Sequence, residues 1–215
     1  MNDKKQSDME SKGKNIPKLR FPGFEGEWEV KKIGDLGKII TGSTPSKDHP
    51  EYWNGDFCWV SARDMKDKYV YDTAEKVTDA GKKLCRILPP NSVLVTCIAS
   101  IGLNAIAKVP CATNQQINSI SFSTKSEAEF FYQSIERASA RLKEYAGINA
   151  VPIINKQKFA EFEILFPPTL PEQEKIASCL TAIDNLIAAQ QERIEALKQH
   201  KRGLMQQLFP AVANE

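Results

Sequence analysis

The side chains of this sequence with the most specific hydrogen-bonding chemistry are amides and one guanidinium, set in stretches that read as loops or short strands. Arg63 carries a two-pronged donor that matches O6 and N7 of guanine. Asn104, Asn114, Gln115, Gln116 and Asn149 each carry the donor–acceptor pair that matches N6 and N7 of adenine. Ser43, Thr44, Lys47, Lys66, Lys68 and Lys143 are hydroxyls and ammonium groups suited to phosphate oxygens, while Tyr52 and Trp53 can stack or wedge. Each has a plainer reading: an Asn-Gln-Gln run can satisfy loop backbone, and an aromatic pair beside a strand is more often core. Together they describe groups that recognise a surface, not groups that break a bond.

Patterns for catalysis are sparse. His49 and His200 are the only histidines, and neither has a carboxylate or cysteine at catalytic or metal-ligating spacing. GxxxxGK[ST], GxGxxG and GxSxG are all missing, which removes support for nucleotide binding and serine hydrolysis. Asp64 with Lys66, and Glu29 with Lys31, resemble fragments of a metal-dependent nuclease, but such triplets arise by chance in any charged sequence. Phe166-Pro167-Pro168 lacks the asparagine of a methyltransferase turn. The sequence argues against a self-sufficient enzyme, with no catalytic residue, metal ligand or cofactor site of its own.

These residues need a scaffold, and hydrophobic patterning supplies an α+β one. Residues 1–17 read as a disordered leader, 18–168 as one mixed α/β domain, 169–209 as a helix, and 210–215 as a tail. Strands are expected at 37–41, 57–61, 92–100, 104–109, 117–122, 151–154 and 161–166, and a short helix at 77–86. Residues 42–57 read as a long turn-rich loop. Ala128, Phe131, Ile135, Ala138, Leu142 and Tyr145 step by three and four, an amphipathic helix over 126–146 that Gly147 stops.

The last segment is patterned differently. Ile176, Leu180, Ile183, Ile187, Gln190, Ile194, Leu197, Lys201, Leu204 and Leu208 recur at alternating steps of four and three, and eight of the ten are aliphatic. That is a coiled-coil seam. Pro171, Glu172 and Glu174 suit a helix start, and Lys198, Lys201 and Arg202 suit its end. Such a rod is roughly 55–60 Å long and cannot bury its stripe on itself. The plainer alternative is a terminal helix folded back on its own domain.

Composition is that of an ordinary water-soluble chain: 41% hydrophobic, 26% charged, net charge +2 over 215 residues. Six basic and three acidic side chains fall in residues 1–20, eighteen of each in 21–170 and five of each in 171–209. A neutral body gives weak support to nucleic-acid binding, so lysines would have to cluster in space or partners supply the electrostatic grip. Five cysteines without a CxxC pair read as buried thiols of a reducing cytoplasm. No membrane span or secretory signal is legible.

Longer stretches carry a family resemblance. KLRFPGFEGEW at 18–28, with KKIGDLGKIITGSTPS and YWNGDFCWV after it, resembles the opening of a target-recognition domain from type I restriction–modification specificity subunits. CIASIGLNAIA with ATNQQ resembles that domain's central block, and FPPTLPEQEKIASCL leading to KRGLMQQLF resembles its spacer helix. The resemblance implies a non-catalytic subunit that reads half of a split sequence in double-stranded DNA. It implies docking to an adenine-methylating modification subunit that brings S-adenosylmethionine, and a restriction subunit that brings ATP and magnesium. The family's usual subunit has two recognition domains and two spacer helices, whereas this chain has one of each. Two copies joined through the seam as a homodimer would restore the pair. Two other classes stand beside this: an interaction protein that binds the modification subunit without reading DNA, and a nuclease built on Asp64 and Lys66.

Overall fold

The computed structural model describes residues 15–147 and 151–209, which form two compact units divided between Ala177 and Ser178. Asn149, the leader up to residue 14 and the tail lie outside the described residues. No helix among the described residues is long and apolar enough to cross a membrane.

The first unit is built on a five-stranded sheet. In order across it stand β2 (Ile39–Thr41), β9 (Ile117–Ser121), β6 (Ser92–Thr96), β7 (Asn104–Ala107) and β4 (Tyr69–Val70). All neighbours are antiparallel except β4 and β7. A three-stranded sheet, β5 (Lys76–Val77), β3 (Trp53–Val60) and β8 (Ala112–Thr113), and a pair, β1 (Glu29–Lys32) with β10 (Glu163–Phe166), complete the strands. Among them run α1 (Ile33–Leu36), α2 (Asp79–Lys82), α3 (Lys125–Ala146) and α4 (Lys156–Glu161).

The run Ser92–Thr96 is apolar on both faces because both are covered. Val93 and Val95 pack with Phe131, Ile135 and Leu142 of α3, while Leu94 joins a second core with Ile117, Leu88 and Met65. α3 forms where its pattern places it. Thr124 caps it reciprocally with Glu127, and Gly147, at φ +82°, ends it in a backbone conformation that disfavours side chains. Tyr145 departs from the expected stripe: it is 41% exposed, its ring edge-on to Phe162, while Ala146 takes the buried place.

Several expected boundaries shift. The strand placed at 57–61 begins at Trp53, so the turn-rich loop is shorter, and a single 3-10 turn, Pro50–Tyr52, precedes it. The helix expected over 77–86 is confined to Asp79–Lys82, because Val77 is drawn into β5 against Phe57. Residues 151–154 make one bridge, Ile153 to Ile98, not a strand. β1 and α4 have no clear signal in the sequence; EVKK at Glu29–Lys32 has no apolar alternation and pairs with a strand over 130 residues away. Cys58, Cys97 and Cys111 are buried as expected, but Cys85 is half-buried and Cys179 exposed.

The long helix α5 runs Leu170–Leu208, 39 residues and about 58 Å. Its first turns belong to the first unit, with Glu172, Gln173 and Ala177 buried. Arg20 grips Glu172 with two parallel bonds of 2.8 Å, Trp28 Nε1 donates to the same carboxylate at 3.3 Å, and Arg20 also donates to the Glu25 and Gly26 carbonyls. The stretch 18–28 and the helix start are thereby tied by one bidentate ion pair. Beyond Ala177 the seam is open: Leu180, Ile183, Ile187, Ile194, Leu197, Leu204 and Leu208 are 36 to 74% exposed, with Leu186 and Met205 beside them.

Candidate nucleic-acid interface

The expected recognition residues are brought together by how the chain leaves β2. The Gly42 amide donates to Ile117 O at 3.1 Å and the Ser43 amide to Thr113 O at 2.8 Å, so the loop starts along the turn between β8 and β9. A Cβ on Gly42 would run into the carbonyl oxygens of Asn114 and Thr113, so only glycine permits this approach. Thr44 Oγ1 then donates to Gln115 Oε1. Two indoles hold the loop from below: Trp59 Nε1 donates to Ser43 O at 3.0 Å and Trp53 Nε1 to Ser46 O at 3.1 Å. Their rings meet edge to face, 5.0 Å between centroids.

Ser43, Thr44, Asn114, Gln115 and Gln116 therefore form one cluster. Asn114 makes an Asx turn, its Oδ1 accepting from Gln116 N at 3.0 Å, which presents the Gln115 and Gln116 side chains to solvent. Cys97 N donates to Gln116 O at 2.8 Å, bringing the loop after β6 alongside. That loop holds Ala99 at φ +61°, a strained value for a residue with a side chain, and walls a concavity of about 670 Å³ with Lys143, Glu136 and Ser139. Asn114 N donates to Val60 O at 3.1 Å, which sets the strand leading to exposed Arg63 next to the cluster. Arg63 and Lys66 line a second concavity of about 620 Å³ with Asp64 and Asp72.

Other expected residues are placed elsewhere. Asn104 is buried, 3% exposed, and its amide donates to Tyr132 O at 3.2 Å, so it is a core amide rather than an exposed reader. Lys68 is an internal ion-pair partner, 2.9 Å from the buried carboxylate of Glu129. Trp53 is 8% exposed and supports the loop instead of facing a ligand. Lys47 lies over Trp53, 3.3 Å from the ring centroid, and pairs with Glu75. Both carboxylate oxygens of Asp64 are engaged by its own chain: one accepts from the backbone and hydroxyl of Ser61, the other from Ala74 N. His49 does have a carboxylate in reach, Glu51 at 2.9 Å, and stacks on Tyr52.

Glu129 organises the back of the sheet. It accepts from Tyr69 at 2.9 Å and sits 3.4 Å from Lys108 in addition to Lys68. Burial raises its carboxyl, but the hydrogen bonds and charges of Lys68, Tyr69 and Lys108 outweigh that and hold it below the usual range. Lys108 is lowered, burial exceeding the pull of Glu129. Lys68 is the nearer of the two ammonium groups that share the carboxylate. One residue near the cluster had no signal in the sequence: Arg86 donates through Nη1 to the carbonyls of Thr41 at 2.6 Å and Gly42 at 3.2 Å.

The comparisons agree on a family. Residues 25–199 match the model described as the type I restriction modification DNA specificity domain. The chain is 34% identical over 190 residues to the type I restriction enzyme MjaIX specificity subunit of Methanocaldococcus jannaschii, covering 85% of this chain and 44% of that one. It is 36% identical over 146 residues to the HindI specificity subunit of Haemophilus influenzae, 65% of this chain and 32% of the other. The chain thus spans less than half the length of these relatives. Among solved structures, it superposes on the type I restriction–modification system S subunit from M. genitalium with TM-score 0.59 at 17% identity, over 86% of this chain and 46% of that one. A chain from a study of the assembly and conformational transition of the type I system gives TM-score 0.63 at 18% identity, covering 93% and 50%. A mixed α/β domain with a long carboxy-terminal helix is the fold these structures share with it, and the family match over residues 25–199 makes this chain a member of the type I restriction modification DNA specificity domain family.

Proposed function

We propose that this chain is a half-length specificity subunit that homodimerises through residues 169–209 and reads a bipartite, palindromic DNA site. The observation that carries this is the open seam of α5, an apolar stripe of seven aliphatic side chains left uncovered among the described residues. A second copy of the same stripe is self-complementary to it, and Gln190 and Lys201 within the seam favour one register at some cost in stability. Antiparallel pairing sends the two helix starts, with the recognition domains of residues 18–168, to opposite ends. A two-fold pair of readers matches two inverted half-sites.

In this reading the cluster of Ser43, Thr44, Asn114, Gln115 and Gln116, flanked by Arg63, Lys66 and Lys143, faces the duplex. The chain contributes recognition only. Adenine methylation, with its S-adenosylmethionine, falls to a docked modification subunit, and ATP-driven cleavage to a restriction subunit, all in the cytoplasm. The test is selection of bound duplexes from a random pool in the presence of the modification subunit. Inserting seven residues into α5 adds about 10 Å to each helix, so the gap between half-sites should lengthen by about three base pairs with the half-sites unchanged. An unchanged gap, or a contiguous selected site, defeats the proposal.

A further inference from the structure

Three cations far apart in sequence converge on the free edge of β2. Lys38 enters that strand, Lys156 comes from α4, which packs beside it, and Arg86 arrives from the segment before β6. With Ile39, Ile40 and Thr41 they line a concavity of about 570 Å³ whose lining has no acidic residue. All three side chains are exposed, and among the described residues none is in an ion pair. Arg86 is positioned by bonds from Nη1 to Thr41 O and Gly42 O, while Nε and Nη2 make no hydrogen bond among the described residues. Over residues 21–170, where positive and negative charges balance at eighteen each, this lining carries a local excess of three.

We infer that Lys38, Arg86 and Lys156 form a phosphodiester-binding site that grips the DNA backbone beside the bases being read. The inference rests on the DNA-reading function proposed above. Thr41 lines the pocket, and Arg86 is bonded to the carbonyls of Thr41 and Gly42, the two residues that lead directly in the chain to Ser43 and Thr44 of the recognition cluster. A duplex seated on that cluster carries a phosphate about every 3.4 Å of helix axis on each strand, so its neighbouring phosphates are the groups a cation site anchored at Thr41 and Gly42 would meet. Arg86 is anchored on one nitrogen and so offers the remaining face of its guanidinium with little loss of side-chain freedom. This supplies the electrostatic grip that overall composition does not.

The experiment measures binding of the full chain with its modification subunit to a duplex containing the selected site, over a salt series. The variants are Lys38→Gln/Lys156→Gln, the triple variant with Arg86→Gln, and Arg86→Lys. Removing one phosphate-neutralising cation lowers the slope of log K against log salt by about 0.9, and each substitution removes two in a homodimer on its duplex, so the double and triple variants should drop by about 4 and 5. Affinity should fall about equally for target and mixed-sequence duplexes, and the methylated bases should not change. Arg86→Lys retains the slope. An unaltered slope in the folded double variant overturns the inference while leaving the reading of DNA intact. Inorganic phosphate that binds the wild type and not the double variant, without competing with duplex, assigns the pocket to a small anion and also overturns it. A wild-type complex that binds no duplex removes the underlying function and the inference together.

Discussion

Replacing Ile183, Ile187 and Ile194 together by glutamine should convert the proposed homodimer to monomers. These side chains are 49, 51 and 51% exposed in the single chain, so about half of each remains to be buried by a partner. Full burial of an isoleucine is worth about 1.5–3 kcal/mol, which leaves roughly 1 kcal/mol each, or about 6 kcal/mol for the six side chains of a symmetric pair. At about 1.4 kcal/mol per tenfold, the dissociation constant should weaken by roughly four orders of magnitude. Glutamine keeps a high helix propensity, so α5 within one chain should survive, and circular dichroism reports whether it does. Sedimentation equilibrium over a concentration series measures the association. A variant whose dissociation constant lies within tenfold of the wild type, or a wild type that is monomeric throughout, would refute the reasoning. Either result would show that the stripe is covered by something other than its twin.

Other outcomes follow from single positions. Glu129→Gln leaves Lys68 and Lys108, whose side chains are only 11 and 15% exposed, without a counter-charge at the back of the sheet, and the cost should be about 3 kcal/mol in urea unfolding. Since the folded carboxyl is held below its ordinary value of 4.5, this contribution is fully present above that pH and fades as pH falls through the folded value, so wild type and variant should converge in acid. Gly42→Ala should leave the secondary structure intact but displace the 42–46 loop, abolishing specific DNA binding while non-specific affinity persists. Burial pushes the Cys97 thiol up to about 11 and the Cys111 thiol to about 12, so iodoacetamide at pH 8 should label exposed Cys179 and reach the other two only on unfolding.

Periodic structure was legible because its period is written locally. The four-three spacing from Ile176 to Leu208 and the Ala128-to-Leu142 stripe each define a helix face, and the structure contains helices at Leu170–Leu208 and Lys125–Ala146. The apolar run at residues 92–100 likewise announced a buried strand, which the structure forms over Ser92–Thr96. The residue types suited to recognition could also be named in advance, since amides and guanidinium groups in loop-like stretches are visible as such. Which of them meet could not. Ser43 and Thr44 join Gln115 through pairings some seventy residues apart, Asn104 and Lys68 are withdrawn by contacts with α3, and Arg86 is added by two carbonyls at the end of another strand. The one-dimensional pattern determines faces and propensities, because these depend on neighbours within a few residues. The tertiary structure alone decides which polar groups are spent inside the fold and which remain for a ligand, because that depends on burial and on hydrogen-bond partners that chain folding brings from a distance.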